Sequence, residues 1–369
     1  MTDIAIIGGG FFGCYLAEHL AKKEYSVTIF EAKDKLLQGA SSLNQARVHN
    51  GYHYPRSIMT GARSRLSFSK FSDEFPEATI KTGTHRYLIA RSLSKVSAQQ
   101  FEAFCRRIGA YFDTDSTFLN QYCDRKYIEA AYLTKEAVFD ANILKEVMVD
   151  RINAKKNIVV KTNHCIDRVE EDSSGINLYA HANGQRKPSH FKHVFCCAYD
   201  GINTVRRRSK INPLPFKQEF TEICIVDAPA FMKDSGLTVM CGPFFSILPH
   251  PLSGKHSFSH VRFTPQAEYW DLIEKDDYDK LYASWEQNRR SNFLKIRADA
   301  SRFLPLLKDV NYDHSQWTVK TVLQASEQND SRPIFIDWNA GIKNFHCVLG
   351  GKIDNVYDMI TYIDNHFLM

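Results

Sequence analysis

Between Asp3 and Glu31 the apolar positions change their period twice. Ile4, Ala5, Ile6 and Ile7 form a short continuous run, as expected of a strand buried on both faces. Leu16, Ala17, Leu20 and Ala21 then recur on one face of a helix, and Val27-Thr28-Ile29-Phe30 reads as a strand again. The first strand and the helix are joined by Gly8-Gly9-Gly10-Phe11-Phe12-Gly13, and the second strand ends in Glu31. Strand, glycine turn, helix, and strand ending in an acid is the arrangement of a dinucleotide site. Gly8 permits the tight turn, Gly10 lets the backbone approach a pyrophosphate, and Gly13 lets the helix pack closely on the strand. Phe11 and Phe12 open a helix whose unpaired amides and dipole favour an anion. Glu31 stands where a carboxylate accepts both ribose hydroxyls; it would repel a 2′-phosphate, which argues against NADP.

Downstream, residues Gln38 to Tyr54 are rich in Gly, Ser and Asn and read as a loop, followed by a helix over Ser57 to Phe75. Gly83 to Ala90 alternates as a strand and Ala98 to Ile108 is helical. Asp140 offers an N-cap to a helix with the apolar stripe Ile143, Leu144, Val147 and Ile152. Strands follow at Ile158 to Lys161, Cys165 to Glu170, Ile176 to Ala180 and His193 to Ala198. The return of buried-type strands more than a hundred residues after the first motif predicts that the nucleotide unit resumes after an excursion. Expected strands at Glu219 to Asp227, Leu237 to Met240, Phe244 to Leu248 and His256 to Phe263, with a helix at Asp276 to Arg289, make a second unit. The fold class is therefore α/β, with a Rossmann domain at residues 1–80, 136–210 and 321–369. An interleaved α+β substrate domain, on a mixed or antiparallel sheet, takes 81–135 and 211–320.

Composition narrows the class without changing the fold. At 369 residues, 44% hydrophobic and 24% charged, the chain reads as a soluble globular protein, and no run of eighteen apolar residues predicts a transmembrane helix. The apolar N-terminus lacks a basic flank and contains Asp3, unlike a signal peptide. The net charge of +5 is mild; its densest cluster, Arg206-Arg207-Arg208 with Lys210, is expected to be a solvated loop rather than a nucleic-acid patch. Nine cysteines with no CxxC or zinc-type spacing predict reduced thiols, a cytoplasmic setting and no metal.

The segment Gly39-Ala40-Ser41-Ser42-Leu43-Asn44-Gln45-Ala46-Arg47-Val48-His49-Asn50-Gly51-Tyr52-His53-Tyr54-Pro55 resembles the second flavin-contact loop of the D-amino-acid oxidase superfamily. It is most similar to that of L-2-hydroxyglutarate oxidases and FAD-dependent glycerol-3-phosphate dehydrogenases. Ala198-Tyr199-Asp200-Gly201 falls where the superfamily ends a strand in Ala-Ala-Gly beside the cofactor, with Tyr199-Asp200 at the first glycine position. Val348-Leu349-Gly350-Gly351-Lys352-Ile353 resembles its closing Gly-Gly-Lys turn. The resemblance implies a glutathione-reductase-like domain holding FAD rather than NAD. Its cofactor contacts would be Gly8, Gly10, Phe11, Phe12, Gly13 and Glu31; then Ser41, Ser42, Asn44, Arg47, Val48 and His49; then Ala198; and lastly Gly350, Gly351, Lys352 and Ile353. A helix from Ile353 to Phe367 would point its N-terminus at the flavin, where negative charge develops on reduction, and Lys352 would reinforce it.

Enzymes of this superfamily take a hydride from a carbon bearing an amine or hydroxyl, often beside a carboxylate. The resemblance to glycine oxidase gives Arg332-Pro333 the task of gripping that carboxylate; a salt bridge to Glu327, Asp330 or Asp337 is its structural alternative. His49 and His53, with Tyr54, are candidates for the base, for hydrogen bonds to the flavin, or for a covalent flavin link. On a strand, His260 and Arg262 would share a face and line a pocket for an anionic ligand. The expected function is an FAD-dependent oxidase or dehydrogenase acting on a small amino acid or 2-hydroxy acid, with O2 or a carrier as electron acceptor. Two alternatives stay open: a non-redox sugar mutase, because Arg47 to His53 also resembles the loop of UDP-galactopyranose mutases, and a non-catalytic nucleotide-binding protein.

Overall fold

The computed structural model describes residues 3–81, 83–181, 188–272, 278–324 and 333–367. Strand Asp3–Ile7 lies near the centre of a six-stranded sheet, in the order Phe335–Asp337, Phe345–Leu349, His193–Cys196, Asp3–Ile7, Ser26–Phe30, Ile158–Lys161. Neighbours run parallel except at the edge, where Phe335–Asp337 is antiparallel to Phe345–Leu349. Alternate side chains of Asp3–Ile7 enter two cores, which explains the unbroken apolar run. Ile4 and Ile6 pack with Leu16, Leu20, Leu144, Met148 and Met359 from three helices. Ala5 and Ile7 pack with Val169 and Leu178 from a three-stranded antiparallel sheet and with Val205 of helix Ile202–Arg208. Each fully buried Ile or Leu contributes about 1.5–3 kcal/mol, so both layers are firmly held.

The helix expected after Asp140 spans Ala141–Asn153, and the Asp140 carboxylate accepts from the Asn142 and Ile143 amides. Its buried positions are Ala141, Leu144, Met148 and Ile152, whereas Ile143 and Val147 are only partly buried. The ridge Leu144, Met148, Ile152 packs towards helix Phe11–Lys22, so Leu144 and Ile152 of the expected stripe are buried while Met148 is buried in place of Ile143 and Val147. The basic cluster is also not a solvated loop. It ends helix Ile202–Arg208, and its guanidiniums reach three separate segments: Arg206 to Asp337 at 2.6 Å, Arg207 to Asp271 at 2.5 Å and Arg208 to Asp167 at 2.6 Å.

The second large sheet has nine strands. Eight follow in the order Pro265–Trp270, Phe216–Asp227, Lys255–His260, Phe245–His250, Ser235–Met240, Thr84–Ala90, Ile128–Thr134, Phe112–Thr114, and Asn311–Leu323 pairs along Phe216–Asp227. All pairings are antiparallel except Ser235–Met240 with Thr84–Ala90, giving the mixed sheet expected of the interleaved part. Its outer face packs on helix Phe293–Phe303 through Ile296, Ala300 and Phe303. Strand Asn311–Leu323 has no counterpart in the sequence reading. Its first four residues are exposed, and its apolar positions gain their burial from the long partner strand rather than from any local run.

Candidate active site

A cleft of about 1350 Å³ is lined from both large sheets. That exceeds the usual size of a site for one small ligand and suits a long cofactor with a substrate beside it. Gly8, with φ +103°, turns the chain at the end of the first strand, and a Cβ there would come within 2.6 Å of the Cys197 carbonyl. Gly13 does not line the cleft: its hypothetical Cβ would lie 2.0 Å from the Gly8 carbonyl, so it closes the helix onto the turn. Gly10, Phe11 and Phe12 border the cleft at the start of helix Phe11–Lys22, where the Phe11 amide donates to Ser41 Oγ at 2.9 Å. The Glu31 carboxylate faces the same space and accepts from the Gly9 amide at 2.7 Å and the Lys33 amide at 2.8 Å. Gly350 closes the floor from the C-terminal side, with the Phe12 ring so near that a Cβ would fall 1.9 Å from Cζ. Gly351, Lys352, Ile353 and Ala198 border the cleft as well.

The strand leading to Ala198 stops at Cys196, and the turn beyond it holds Tyr199 at φ +56°. A non-glycine residue with positive φ is uncommon, and this one occupies the position where the resemblance led one to expect glycine. Its hydroxyl accepts from the Thr321 amide at 3.2 Å, an anchor in the second sheet that holds the conformation.

The loop from Ser41 to Pro55 brings several of the candidate side chains together. Asn44 borders the cleft but shapes the loop itself: Nδ2 donates to the Ala40 and Ser41 carbonyls, and Oδ1 accepts from Ala46 at 2.6 Å. Ser42 is turned away, its Oγ donating to the Leu37 carbonyl, and Val48 is fully buried beside Ala137; neither borders the cleft. Arg47, His49, His53 and Tyr54 do. The His49 ring centroid lies 5.1 Å from that of His53 and 5.4 Å from that of Tyr54. Burial, then the charge of Arg47, holds the His49 imidazole well below its ordinary pKa, so it is neutral at pH 7, and its Nδ1 has no hydrogen-bond partner. Lys352 lies over the Tyr54 ring at 5.4 Å, donates to Ser64 Oγ at 2.5 Å and meets Asp354 at 3.3 Å. The C-terminal element begins as a 3₁₀ turn at Ile353–Asn355, and the α-helix follows from Val356 to His366.

The pairing of His260 with Arg262 fails. Strand Lys255–His260 ends at the histidine, and the chain turns so that Arg262 is exposed and outside the cleft. His260 does border the cleft, yet its ring is occupied. Nδ1 accepts from the Arg262 amide at 3.0 Å, which places the proton on Nε2 to donate to Asp299 at 3.0 Å. Arg332 lies outside the described residues, as do Glu327 and Asp330, whereas Asp337 pairs with Arg206.

Polar side chains of the second sheet, most of them absent from the sequence reading, complete the cleft. Thr238 accepts from Arg47 at 2.8 Å and from Ser246 at 3.2 Å, while Gln45 donates to Ser259. Further along, Glu219 sits between Lys217 and Lys320, each at 2.9 Å. Burial disfavours its charge, but the two ammoniums outweigh that and hold its pKa down to about 2. The polar–apolar alternation of Phe244 to Leu248 was visible in the sequence, but which face met the cleft depended on its register with Ser235–Met240. Among the described residues no helix is long and apolar enough to cross a membrane, and no cluster of three or more His, Cys, Asp or Glu could hold a metal ion.

Comparison with known proteins agrees with this geometry. Residues 3–350 match the model of the family described as FAD dependent oxidoreductase. The FAD-dependent monooxygenase kojA of Aspergillus flavus is 27% identical over 380 residues, spanning 96% of this chain and 82% of that protein. Glycine oxidase from Geobacillus kaustophilus shares the fold with a TM-score of 0.70 at 14% identity, over 98% of this chain and 94% of that one. L-proline dehydrogenase from P. horikoshii has a TM-score of 0.70 at 11% identity, over 99% and 93% of the two chains.

Proposed function

The chain belongs to the FAD-dependent oxidoreductase family, and we propose that it takes a hydride from a carbon bearing an amine or hydroxyl on a small anionic amino acid or 2-hydroxy acid. FAD is its cofactor. The observation that carries the substrate reading is the grouping of a neutral His49, His53, Tyr54 and the buried Arg47 in the lining of the same cleft as the Gly8–Glu31 cradle.

The residues present suit FAD: the cradle leaves no room for a Cβ at Gly8 or Gly350, and the cleft continues from there to the histidine cluster. Gly8, Gly10, Phe11, Phe12 and Glu31 would hold the adenosine diphosphate part, and Ser41, Ala198, Gly350, Gly351, Lys352 and Ile353 the remainder. When bound, FAD supplies the acceptor for the hydride. The chain's side chains would do the rest. His49 accepts the proton from the substrate hydroxyl or ammonium, and His53 and Tyr54 hold its ring in place. Lys352, fixed by Ser64 and Asp354, would supply positive charge to a bound cofactor that gains negative charge on reduction. The second sheet would exclude water from above. In this reading residues 1–80, 136–210 and 321–369 form the FAD domain, and 81–135 and 211–320 the substrate domain.

Anaerobic addition of amino acids and 2-hydroxy acids to the purified holoenzyme, followed in the flavin spectrum, tests the reading. Bleaching with formation of the imino or oxo acid is expected, and a flavin that none of these substrates reduces would sink it. A monooxygenase reading is favoured by the name of the relative that spans nearly the whole chain. Turnover under ¹⁸O₂ separates the two: label in the product, with consumption of a nicotinamide reductant, supports oxygen insertion, and its absence supports hydride removal alone.

A further inference from the structure

Arg47 departs from a simple flavin-loop residue. It is 7% exposed, and its side chain leaves the short strand Arg47–Val48 to reach the second sheet. NH1 approaches His53 Nδ1 at 3.3 Å and Tyr87 Oη at 3.4 Å, and NH2 donates to Thr238 at 2.8 Å. Nε has no partner. A guanidinium has five N–H donors, so an N–H of Nε and one of NH2 remain; these two nitrogens form an edge that grips a carboxylate with two parallel bonds. Behind Arg47 lies a buried carboxylate. Tyr87 donates to Glu136 Oε1 at 2.9 Å, the Asn50 amide donates to Oε2 at 3.3 Å, and Glu136 is 3% exposed.

We propose that Arg47, Tyr87 and Glu136 form a proton-linked site for a small monocarboxylate, in which an anion bound at Arg47 is accompanied by uptake of one proton at Glu136. This deepens the proposed function, since the anion would be the acidic group of the substrate. The balance is simple. Above pH 7 the free site holds the Arg47 cation and the Glu136 anion; the loaded site holds the Arg47 cation, the ligand carboxylate and a neutral Glu136, and the added proton comes from solvent.

The surroundings point the same way. Burial raises the Glu136 carboxyl, Arg47 and the hydrogen bonds from Tyr87 and Asn50 lower it, Asp354 raises it, and the result is about 7. A second anion beside Arg47 shifts the balance towards the neutral acid. The other titratable groups facing this space are His49 and His53 on the loop, His85 on strand Thr84–Ala90, and Lys352 with Asp354 on the C-terminal turn. Burial and the Arg47 charge keep His49 and His85 neutral, and Lys352 and Asp354 pair with each other at 3.3 Å. Burial raises the Asp354 carboxyl as well, but Glu136 is the carboxylate joined to Arg47 through a shared hydrogen-bond partner, Tyr87, and so is the one placed to exchange a proton when the charge at Arg47 changes.

The sign follows from linkage. Above pH 7 the free enzyme has Glu136 ionised and must protonate it to bind, so the Kd for the anion rises with pH by up to about tenfold per unit. Acetate, which has no amine- or hydroxyl-bearing carbon to oxidise, is the probe, added to oxidised holoenzyme. Calorimetry at pH 8 in two buffers of different ionisation enthalpy should show uptake of nearly one proton. Glu136→Gln should bind acetate without net uptake and with the same Kd at pH 7 and 8.5. Arg47→Met should bind it about a hundredfold more weakly while retaining FAD, and Arg47→Lys should recover part of the affinity. Wild-type enzyme that does not bind acetate, or binds it with no proton uptake, overturns the proposal. So does wild-type affinity in Arg47→Met, or an uptake that persists in Glu136→Gln. If Arg47→Met does not fold, the wild-type and Glu136→Gln measurements still decide the matter. Proton-linked acetate binding in an enzyme whose flavin no amino or hydroxy acid bleaches would defeat the proposed substrate class and leave this site standing.

Discussion

Two parts of the cleft are built by different means. At the glycine turn a contiguous stretch, Gly8 to Glu31, supplies the turn, the helix start and the acid, and most of the shape comes from backbone held at close range. Around Arg47 the side chains arrive from separate segments: Arg47 and His49 from the loop, Tyr87 from one strand, Thr238 from another, Glu136 from a short connection, and Lys352 from the C-terminal turn. A site made of backbone tolerates little steric change, whereas a site made of converging side chains is sensitive to the loss of individual groups.

That contrast predicts a ranking of effects. His49→Ala should lower turnover by about 10²- to 10⁴-fold, the range for loss of a general base, with FAD content unchanged; single-turnover flavin reduction measures it, and a change below threefold would reduce His49 to a positioning residue. Gly350→Ala should act through packing, costing about 1–3 kcal/mol as the Phe12 ring is pushed aside. The melting temperature and flavin content of the purified variant would report it, and unaltered values would mean that the floor is softer than the 1.9 Å approach implies. Glu31→Gln keeps the shape but removes the charge from the bond to Gly9, and should weaken FAD by about tenfold, equivalent to about 1.4 kcal/mol. Fluorescence titration of apoenzyme checks this. Arg262→Ala, on the exposed turn beyond His260, should change stability by less than about 0.5 kcal/mol and leave substrate kinetics as they were. A raised KM there would restore Arg262 to the substrate site.

The nucleotide half was legible because its determinants are local. Glycines at fixed offsets, an N-cap at Asp140 and apolar residues at periods of 2 and 3.6 report directly on backbone geometry. Even there, Met148 rather than Ile143 or Val147 joins Leu144 and Ile152 on the buried face of helix Ala141–Asn153, and Tyr199 took a positive φ while its hydroxyl accepts from the Thr321 amide. The mixed sheet was less legible. His260 and Arg262 fit a shared face only if the strand continues past residue 260, and the turn held by His260 and Thr264 ends it.

Residue type and spacing alone determined that the chain folds an α/β nucleotide-binding unit, and the loop and closing turn tied that unit to FAD. Only the tertiary structure decided which polar side chains gather around Arg47. Arg47 and Val48 are adjacent in the sequence, yet one reaches Thr238 across the cleft and the other is buried beside Ala137. Tyr87 and Glu136 carry no motif; they meet because strand and loop converge on one buried guanidinium. A local pattern encodes where the backbone turns, but a charge network between layers depends on register and crossing geometry, which no short stretch of sequence contains.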